Sequence, residues 1–80
     1  MKVQAEICIY PLRIESLGEA IETFRKIFDR HDLTVTTSSM SSFTSGEMSR
    51  IFDACRDCFD VLADTYDVVM EIKISNACSS

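Results

Sequence analysis

Two stretches of helical apolar periodicity, separated by stretches of alternating polarity, constrain the fold of this chain more than any other feature. Apolar residues recur at intervals of three and four between positions 17 and 28, and again between positions 48 and 63. Alternation with a period of two is typical of strands with one buried face, and it marks positions 2–10, 33–45 and 68–74. The predicted order of elements is therefore strand, helix, strand, strand, helix, strand.

The first strand and the first helix have the clearest boundaries. Lys2 to Tyr10 alternates, with the inward positions Val3, Ala5, Ile7 and Ile9. Pro11 cannot donate a ladder hydrogen bond, so the strand is expected to end at Tyr10. Ser16 and Glu19 have the spacing of a capping box, which predicts a helix that begins at about Leu17 and frays over positions 29–32.

The remaining elements follow from the same patterns. A second strand is predicted from Leu33 to about Ser39, and a third from about Ser41 to Ser45 with Phe43 as its inward anchor. No Asn-Gly or Asp-Gly pair marks the turn near Met40. A second helix is predicted over positions 47–63 and a last strand over positions 68–74, with a frayed tail at positions 76–80.

This order of elements predicts an α+β fold, a ferredoxin-like βαββαβ sandwich in which a four-stranded antiparallel sheet carries both helices on one face. A chain of 80 residues builds one modest core, so positions 1–75 are expected to form a single domain. The other face of the sheet would carry Cys8, Tyr10 and Val69 without a helix to cover them. Another subunit is therefore expected to cover this face.

Composition excludes several classes of protein. The chain is 46% hydrophobic and 26% charged, which is typical of a globular domain, and its net charge of −5 argues against a surface that binds nucleic acid. No apolar run approaches the roughly 20 residues of a membrane-spanning helix, and no basic region followed by an apolar segment opens the chain. We therefore expect a cytoplasmic protein with reduced thiols.

Chemically reactive residues are few, and each has a simpler structural interpretation. Cys55 and Cys58 form a Cys-Arg-Asp-Cys sequence inside the second predicted helix, where no further Cys or His pair completes a tetrahedral metal site. Cys55 is better explained by core packing. His31 precedes Asp32 in a polar connection, but catalysis would need a third partner and a cleft. The sequence predicts no catalytic residue, no metal and no cofactor.

The segment from Thr34 to Ser45 is the main candidate for binding. Nine of its twelve residues are Ser or Thr, and they lie between the two predicted helices. β-branched Thr and alternating polarity favour a hairpin over a flexible linker. A hydroxyl-lined hairpin suits a small polar ligand, whereas a strand face that only contacts water accounts for the same residues equally well.

Two segments carry a resemblance to a known family. Ala5 to Leu12, AEICIYPL, and Met40 to Glu47, MSSFTSGE, resemble the opening strand and the central segment of the thiamine-binding protein family of YkoF-like domains. This resemblance extends over nearly the whole chain. It implies a ferredoxin-like subunit of a dimer or tetramer that binds thiamine or its hydroxymethylpyrimidine part and performs no catalysis.

The resemblance also gives the Ser/Thr segment a specific ligand. Thiamine has a cationic thiazolium ring and a pyrimidine with hydrogen-bond donors and acceptors, and hydroxyl groups serve both. Thr36, Ser38, Ser42 and Thr44 are expected on the outward face of the hairpin, with Tyr10 stacked on the heterocycle and Glu6 or Glu71 opposing the cation. The predicted ligand-binding residues are Glu6, Tyr10, Thr36, Ser38, Met40, Ser42, Thr44 and Ser45.

One alternative stays open. Ser45 stands where the family usually has a Glu before the glycine, which favours a structural or regulatory homo-oligomeric module without a small-molecule ligand. In that case the outward sheet face would serve only to pair subunits.

Overall fold

The computed structural model describes residues 1–13, 18–38 and 41–77 and consists of four strands and two helices. In chain order these are β1 (Lys2–Leu12), α1 (Gly18–Arg30), β2 (Thr36–Thr37), β3 (Ser42–Glu47), α2 (Met48–Ala63) and β4 (Asp67–Ser75). The strands form one sheet in the order β2-β3-β1-β4, and every neighbouring pair is antiparallel. The ferredoxin-like α+β fold predicted from the sequence is confirmed.

The core lies between the helices and one face of the sheet. Inward residues Val3, Ala5 and Ile7 of β1 are almost fully buried under both helices. The helices contribute stacked rings of Phe24 and Phe28, whose centroids are 4.3 Å apart, together with a buried apolar stripe on α2, namely Ile51, Ala54, Cys55, Cys58 and Leu62. Burial of each large side chain contributes about 1.5–3 kcal/mol, so this layer supplies most of the stabilisation.

A hydrogen bond fixes the two helices relative to each other. His31, directly after α1, has its Nε2 atom 2.8 Å from a carboxylate oxygen of Asp57 on α2. The sequence predicted only a place for His31 in a polar connection next to Asp32, and the bond to Asp57 was not anticipated. Asp57 therefore marks the flank of α2 that faces α1.

The expected end of β1 at Tyr10 is wrong. β1 continues through Pro11, which lies opposite Val68, to Leu12, which lies opposite Asp67. On its other side β1 pairs with β3 only as far as Ile7. Beyond that point β1 has a neighbour on one side in the described part of the sheet, and an edge segment of this kind accommodates a residue without an N–H.

The predicted faces of β3 are reversed. Phe43 lies opposite Glu6 on the open face and is 43% exposed, whereas Thr44 lies opposite Ala5 on the helix side and is buried. The expected outward positions of Ser42 and Thr44 and the inward position of Phe43 are therefore wrong. Leu33 supplies the physical reason: it occupies the helix side, so closely that a Cβ at Gly46 would lie 2.9 Å from its Cδ2 atom.

The second strand is much shorter than predicted. β2 consists of Thr36 and Thr37 only, although Leu33 is buried and Val35 packs against the core as expected. The Ser38 N–H donates to the Ser41 carbonyl at 2.8 Å and closes the hairpin. The turn residues, positions 39 and 40, lie outside the described residues.

The other boundaries agree with the sequence within a residue or so. α1 continues to Arg30, and α2 begins one residue later than predicted because β3 runs on to Glu47. β4 extends one residue beyond the prediction at each end. The predicted capping-box Ser and the start at Leu17 lie outside the described residues, as do positions 78–80 of the tail. Neither described helix is long and apolar enough to cross a membrane.

Candidate functional site

The sheet separates two cavities of the described structure. One, the helix-side cavity, has a volume of about 340 Å³ and lies between β1, the first turns of α1 and the β2–β3 hairpin. The other, the sheet-face cavity, has a volume of about 550 Å³ and lies on the open face across β2, β3, β1 and β4. Both volumes lie within the roughly 300–1,000 Å³ typical of small-molecule sites.

The helix-side cavity exists because β1 extends beyond the end of its pairing with β3. β3 meets β1 only up to the pair Ile7 and Ser42, so the hairpin diverges from the rest of β1 and α1 bridges the gap. The walls are apolar, formed by Ile7, Ile9, Ala20, Ile21 and Phe24. On the hairpin side the lining consists of Thr37, Ser38, Ser41 and Ser42, which all carry hydroxyl groups, although the Ser41 hydroxyl contacts the Cys8 thiol at 3.2 Å. Apolar walls with a few polar groups are the usual composition of a small-molecule site.

The sheet-face cavity has a different chemistry. Its described lining includes the aromatic ring of Phe43, the hydroxyls of Thr36 and Ser45, and the only charged pair of either cavity, in which Lys73 Nζ lies 3.8 Å from Glu6 Oε1. This pair is solvent-exposed, so it contributes about 0–1 kcal/mol. The cavity is an open depression on the strand surface.

The structure divides the predicted ligand-binding residues between the two cavities. Tyr10, Ser38 and Ser42 line the helix-side cavity. The other described members border the sheet-face cavity: Glu6, Thr36 and Ser45 from the open face, and Thr44 although it lies on the helix side. Met40 lies outside the described residues. The seven described members therefore do not line one common cavity within a single chain.

Thr44 has a structural role within the sheet. Its Oγ1 atom donates a hydrogen bond of 2.9 Å to the Thr34 carbonyl, and the residue is only 7% exposed. This bond fastens the segment before β2 to β3. The hydroxyl is thus already engaged inside the protein.

Tyr10 borders the helix-side cavity, but its place in the alternation of β1 directs its ring to the open side of the sheet. It lies opposite Val69 in the alternation of β1, next to Cys8 and Glu71. A hydrogen bond with the Cys8 thiol, together with the nearby Glu71 carboxylate, raises the pKa of Tyr10 to about 12. The Cys8 thiol also contacts the Ser41 hydroxyl at 3.2 Å. At neutral pH Tyr10 is therefore a protonated phenol within a polar row on the open face.

Sequence reasoning missed several residues of the helix-side cavity. Ile7, Ile9 and Phe24 were assigned to the core, and Thr37 and Ser41 were not singled out. The alternation of β1 could identify the two isoleucines as inward. No signal in β1 shows where its partner strand ends, and that end creates the cavity.

The cysteines of α2 are buried thiols. Cys55 and Cys58 are 3% and 0% exposed, and desolvation raises their pKa values to about 11 and about 12. A thiol with so high a pKa is a poor nucleophile and a poor metal ligand at neutral pH. The interpretation of Cys55 as core packing is confirmed, and no cluster of three or more metal-ligating side chains occurs in the described residues.

The fold and the cavities together define a class: a ferredoxin-like domain with a cavity of small-molecule size beside its β-hairpin. Comparison with known families gives the next step. The model of the family described as thiamine-binding protein matches residues 5–78, so this chain belongs to the thiamine-binding protein family. No curated protein matches the chain.

Solved structures agree with the family. A hypothetical protein of Methanocaldococcus jannascii is 27% identical with a TM-score of 0.87, and the match covers 99% of this chain and 84% of that one. A candidate thiamine biosynthesis or salvage protein of Thermotoga maritima is 19% identical with a TM-score of 0.80, covering 94% and 83%. A domain of unknown function from Bacillus cereus, 14% identical, has a TM-score of 0.78 over 94% and 75%. The last two show the fold alone.

Proposed function

We propose that this chain is a non-enzymatic small-molecule-binding protein whose ligand is thiamine, hydroxymethylpyrimidine or a related heterocycle, bound in the helix-side cavity. The observation that carries the proposal is the slot of about 340 Å³ with apolar walls and four hydroxyl-bearing residues along the hairpin. Membership of the thiamine-binding family supports this class of ligand. The cytoplasm, where free thiols stay reduced, is the proposed location.

The chemistry of the cavity favours the neutral half of such a ligand. A pyrimidine ring fits between apolar walls, and its ring nitrogens and amino group need both donors and acceptors, which hydroxyls provide. The described lining of this cavity contains no carboxylate, so a cationic thiazolium has no counter-charge there. We therefore expect the pyrimidine to enter the cavity and the cationic ring to remain at its mouth.

Calorimetric titration of the purified chain with thiamine and with hydroxymethylpyrimidine tests the proposal. Ser42 lines the helix-side cavity and Ser45, on the same strand, lines the sheet-face cavity, so the two serines form a matched pair. Ser42→Ala should weaken binding by roughly two- to tenfold, the value of one hydrogen bond, while Ser45→Ala should leave it unchanged. The proposal would be contradicted if neither compound gave a heat of binding at millimolar concentration. It would also be contradicted if Ser45→Ala weakened binding and Ser42→Ala did not.

A second candidate function has its own observation. Phe43, Val69 and Leu12 are apolar residues of the open face that are 43%, 47% and 44% exposed. A structural or regulatory homo-oligomeric module would use this face to pair subunits without any ligand. Sedimentation distinguishes the candidates, because such a module assembles to the same extent with and without thiamine and hydroxymethylpyrimidine.

A further inference from the structure

Two side chains join β1 to the hairpin just past the point where their backbones diverge. The last pair between β1 and β3 is Ile7 with Ser42, and beyond it β1 has no described partner on that side. One residue further along, the Cys8 thiol lies 3.2 Å from the Ser41 hydroxyl. This side-chain contact therefore extends the attachment of the hairpin to β1 by one residue beyond the backbone pairing.

Ser41 also holds the described end of the hairpin together. Its carbonyl accepts a hydrogen bond of 2.8 Å from the Ser38 N–H, and the neighbouring Ser42 pairs with Thr37. These four residues form the hairpin side of the helix-side cavity. A displacement of Ser41 away from β1 would therefore move the other three residues with it and widen the cavity.

Cys8 lies directly behind the apolar wall of this cavity. Its chain neighbours Ile7 and Ile9 line the cavity, whereas the alternation of β1 directs Cys8 to the open face of the sheet, where it lies opposite Glu71. Cys8 is not among the described lining residues of the helix-side cavity. It can therefore act on a ligand there only through the residues that do line it.

The thiol is itself held in place from the β4 side. The phenol of Tyr10, two residues along the same face, hydrogen-bonds to the Cys8 thiol, and the Glu71 carboxylate of β4 lies close to the same phenol. A polar row of Glu71, Tyr10, Cys8 and Ser41 therefore crosses from β4 over β1 to the hairpin. Because β4 pairs with β1 along its full length, this row anchors the hairpin to an extensively paired part of the sheet.

We propose that Cys8 is a positioning residue for the helix-side cavity: through Ser41, its thiol holds the end of the hairpin at the separation from β1 that a bound heterocycle requires. This inference rests on the function proposed above. Binding is tightest when the protein groups already occupy the positions they have in the complex, because no free energy is then lost in ordering them. A hairpin released from β1 still meets the ligand but binds it more weakly.

The chemistry of the two side chains sets the size of the effect. Either atom of the contact between Cys8 and Ser41 can be the donor, and a thiol is weaker than a hydroxyl in both roles. A net hydrogen bond between neutral groups corresponds to roughly two- to tenfold in an equilibrium constant, so a bond to sulfur should correspond to about two- to fivefold. Serine at position 8 keeps a donor and an acceptor, whereas alanine keeps neither.

Calorimetric titration with hydroxymethylpyrimidine and with thiamine measures this positioning. Cys8→Ala should raise the dissociation constant about two- to fivefold, and Ser41→Ala should raise it at least as much. Because both changes break the same contact, the double variant should bind no more weakly than Ser41→Ala alone. Cys8→Ser should bind as the wild type does. Ser45→Ala, on the same face of β3 but opposite Gln4, is the matched control and should also leave binding unchanged.

Amide hydrogen exchange without ligand locates the effect in the hairpin. Exchange of the Ser38 amide reports on its bond to the Ser41 carbonyl. In Cys8→Ala this amide should exchange about two- to fivefold faster, whereas the amides between β1 and β4 should keep their wild-type rates. In Cys8→Ser all of these rates should remain those of the wild type. A general loss of stability would instead accelerate exchange throughout the sheet.

The outcomes separate this inference from the proposed function. If the wild-type chain binds neither compound, the proposed function fails and the inference fails with it. The positioning role alone is overturned if the wild type binds and Cys8→Ala binds equally well, or if Cys8→Ser is as weak as Cys8→Ala. It is also overturned if the effects of Cys8→Ala and Ser41→Ala add, or if exchange in Cys8→Ala accelerates equally in β4 and at Ser38.

Discussion

The hydroxyl of Thr44 offers the sharpest test of the observed strand faces. Thr44→Val keeps the shape and the β-branch of the side chain but removes the donor that bonds the Thr34 carbonyl at 2.9 Å. Because valine suits a strand as well as threonine does, intrinsic propensity changes little. The substitution therefore reports on the hydrogen bond itself.

The magnitude follows from the surroundings of this bond. Thr44 is 7% exposed, so its hydroxyl has lost most contact with water, whereas Thr34, which supplies the acceptor, is an exposed residue. A net hydrogen bond contributes about 0.5–1.5 kcal/mol. We expect Thr44→Val to lower the free energy of unfolding by about 1 kcal/mol.

Thr44→Ser and Thr44→Ala complete the series. Serine keeps the hydroxyl and loses a buried methyl group, which costs about 0.8 kcal/mol, and alanine loses both, for a sum of about 2 kcal/mol. Urea unfolding followed by far-ultraviolet circular dichroism measures each difference, and 1 kcal/mol corresponds to about 4–8 °C in Tm for a domain of this size. If Thr44→Val were as stable as the wild type while Thr44→Ser were not, the buried hydrogen bond would be refuted.

Three further predictions use other parts of the core. Gly46→Ala should lower the free energy of unfolding by about 1–3 kcal/mol in the same urea assay, because its Cβ would meet Leu33 Cδ2 at 2.9 Å. If Gly46→Ala were as stable as the wild type, the close approach of Leu33 to Gly46 would be refuted. Phe28→Ala should cost about 3–5 kcal/mol in that assay, since the ring is 0% exposed and stacks on Phe24, and a loss below 1 kcal/mol would contradict its central place. In the Cys8→Ser, Cys78→Ser background, the raised pKa values of Cys55 and Cys58, about 11 and about 12 against an ordinary 9.0, should prevent reaction with a thiol reagent at pH 8 until the chain unfolds. Because the unfolded thiols release protons first, stability should fall as the pH rises above about 9, and a flat profile up to pH 11 would contradict the burial.

The sequence was sufficient for the order and type of the elements, because the periods of two and 3.6 are long and uninterrupted in β1, α1, α2 and β4. α2 and β4 were placed within one residue of their observed ends. The topology followed from that order and from general rules of chain connection. These predictions depend on local patterns that a single segment carries in full.

The faces of the Ser/Thr segment could not be read in the same way. Small hydroxyl residues occupy both faces there, so the alternation contains little information, and Phe43 was placed inward as the largest apolar residue. Tertiary packing instead places Phe43 on the open face, since Leu33 fills the helix side of β3 next to Gly46. The candidate site was divided for the same reason, because neighbouring hydroxyls that seemed to share a face lie on opposite sides of the sheet.

The greater length of β1 relative to β3 has a consequence for how this chain can diversify. β1 meets the hairpin on one border only up to Ile7, and meets β4 on the other border as far as Leu12. Substitutions in the hairpin tip can therefore change the shape of the helix-side cavity without altering any residue pair between β1 and β4. The shape of the slot and the pairing of β1 with β4 can change independently within one small domain.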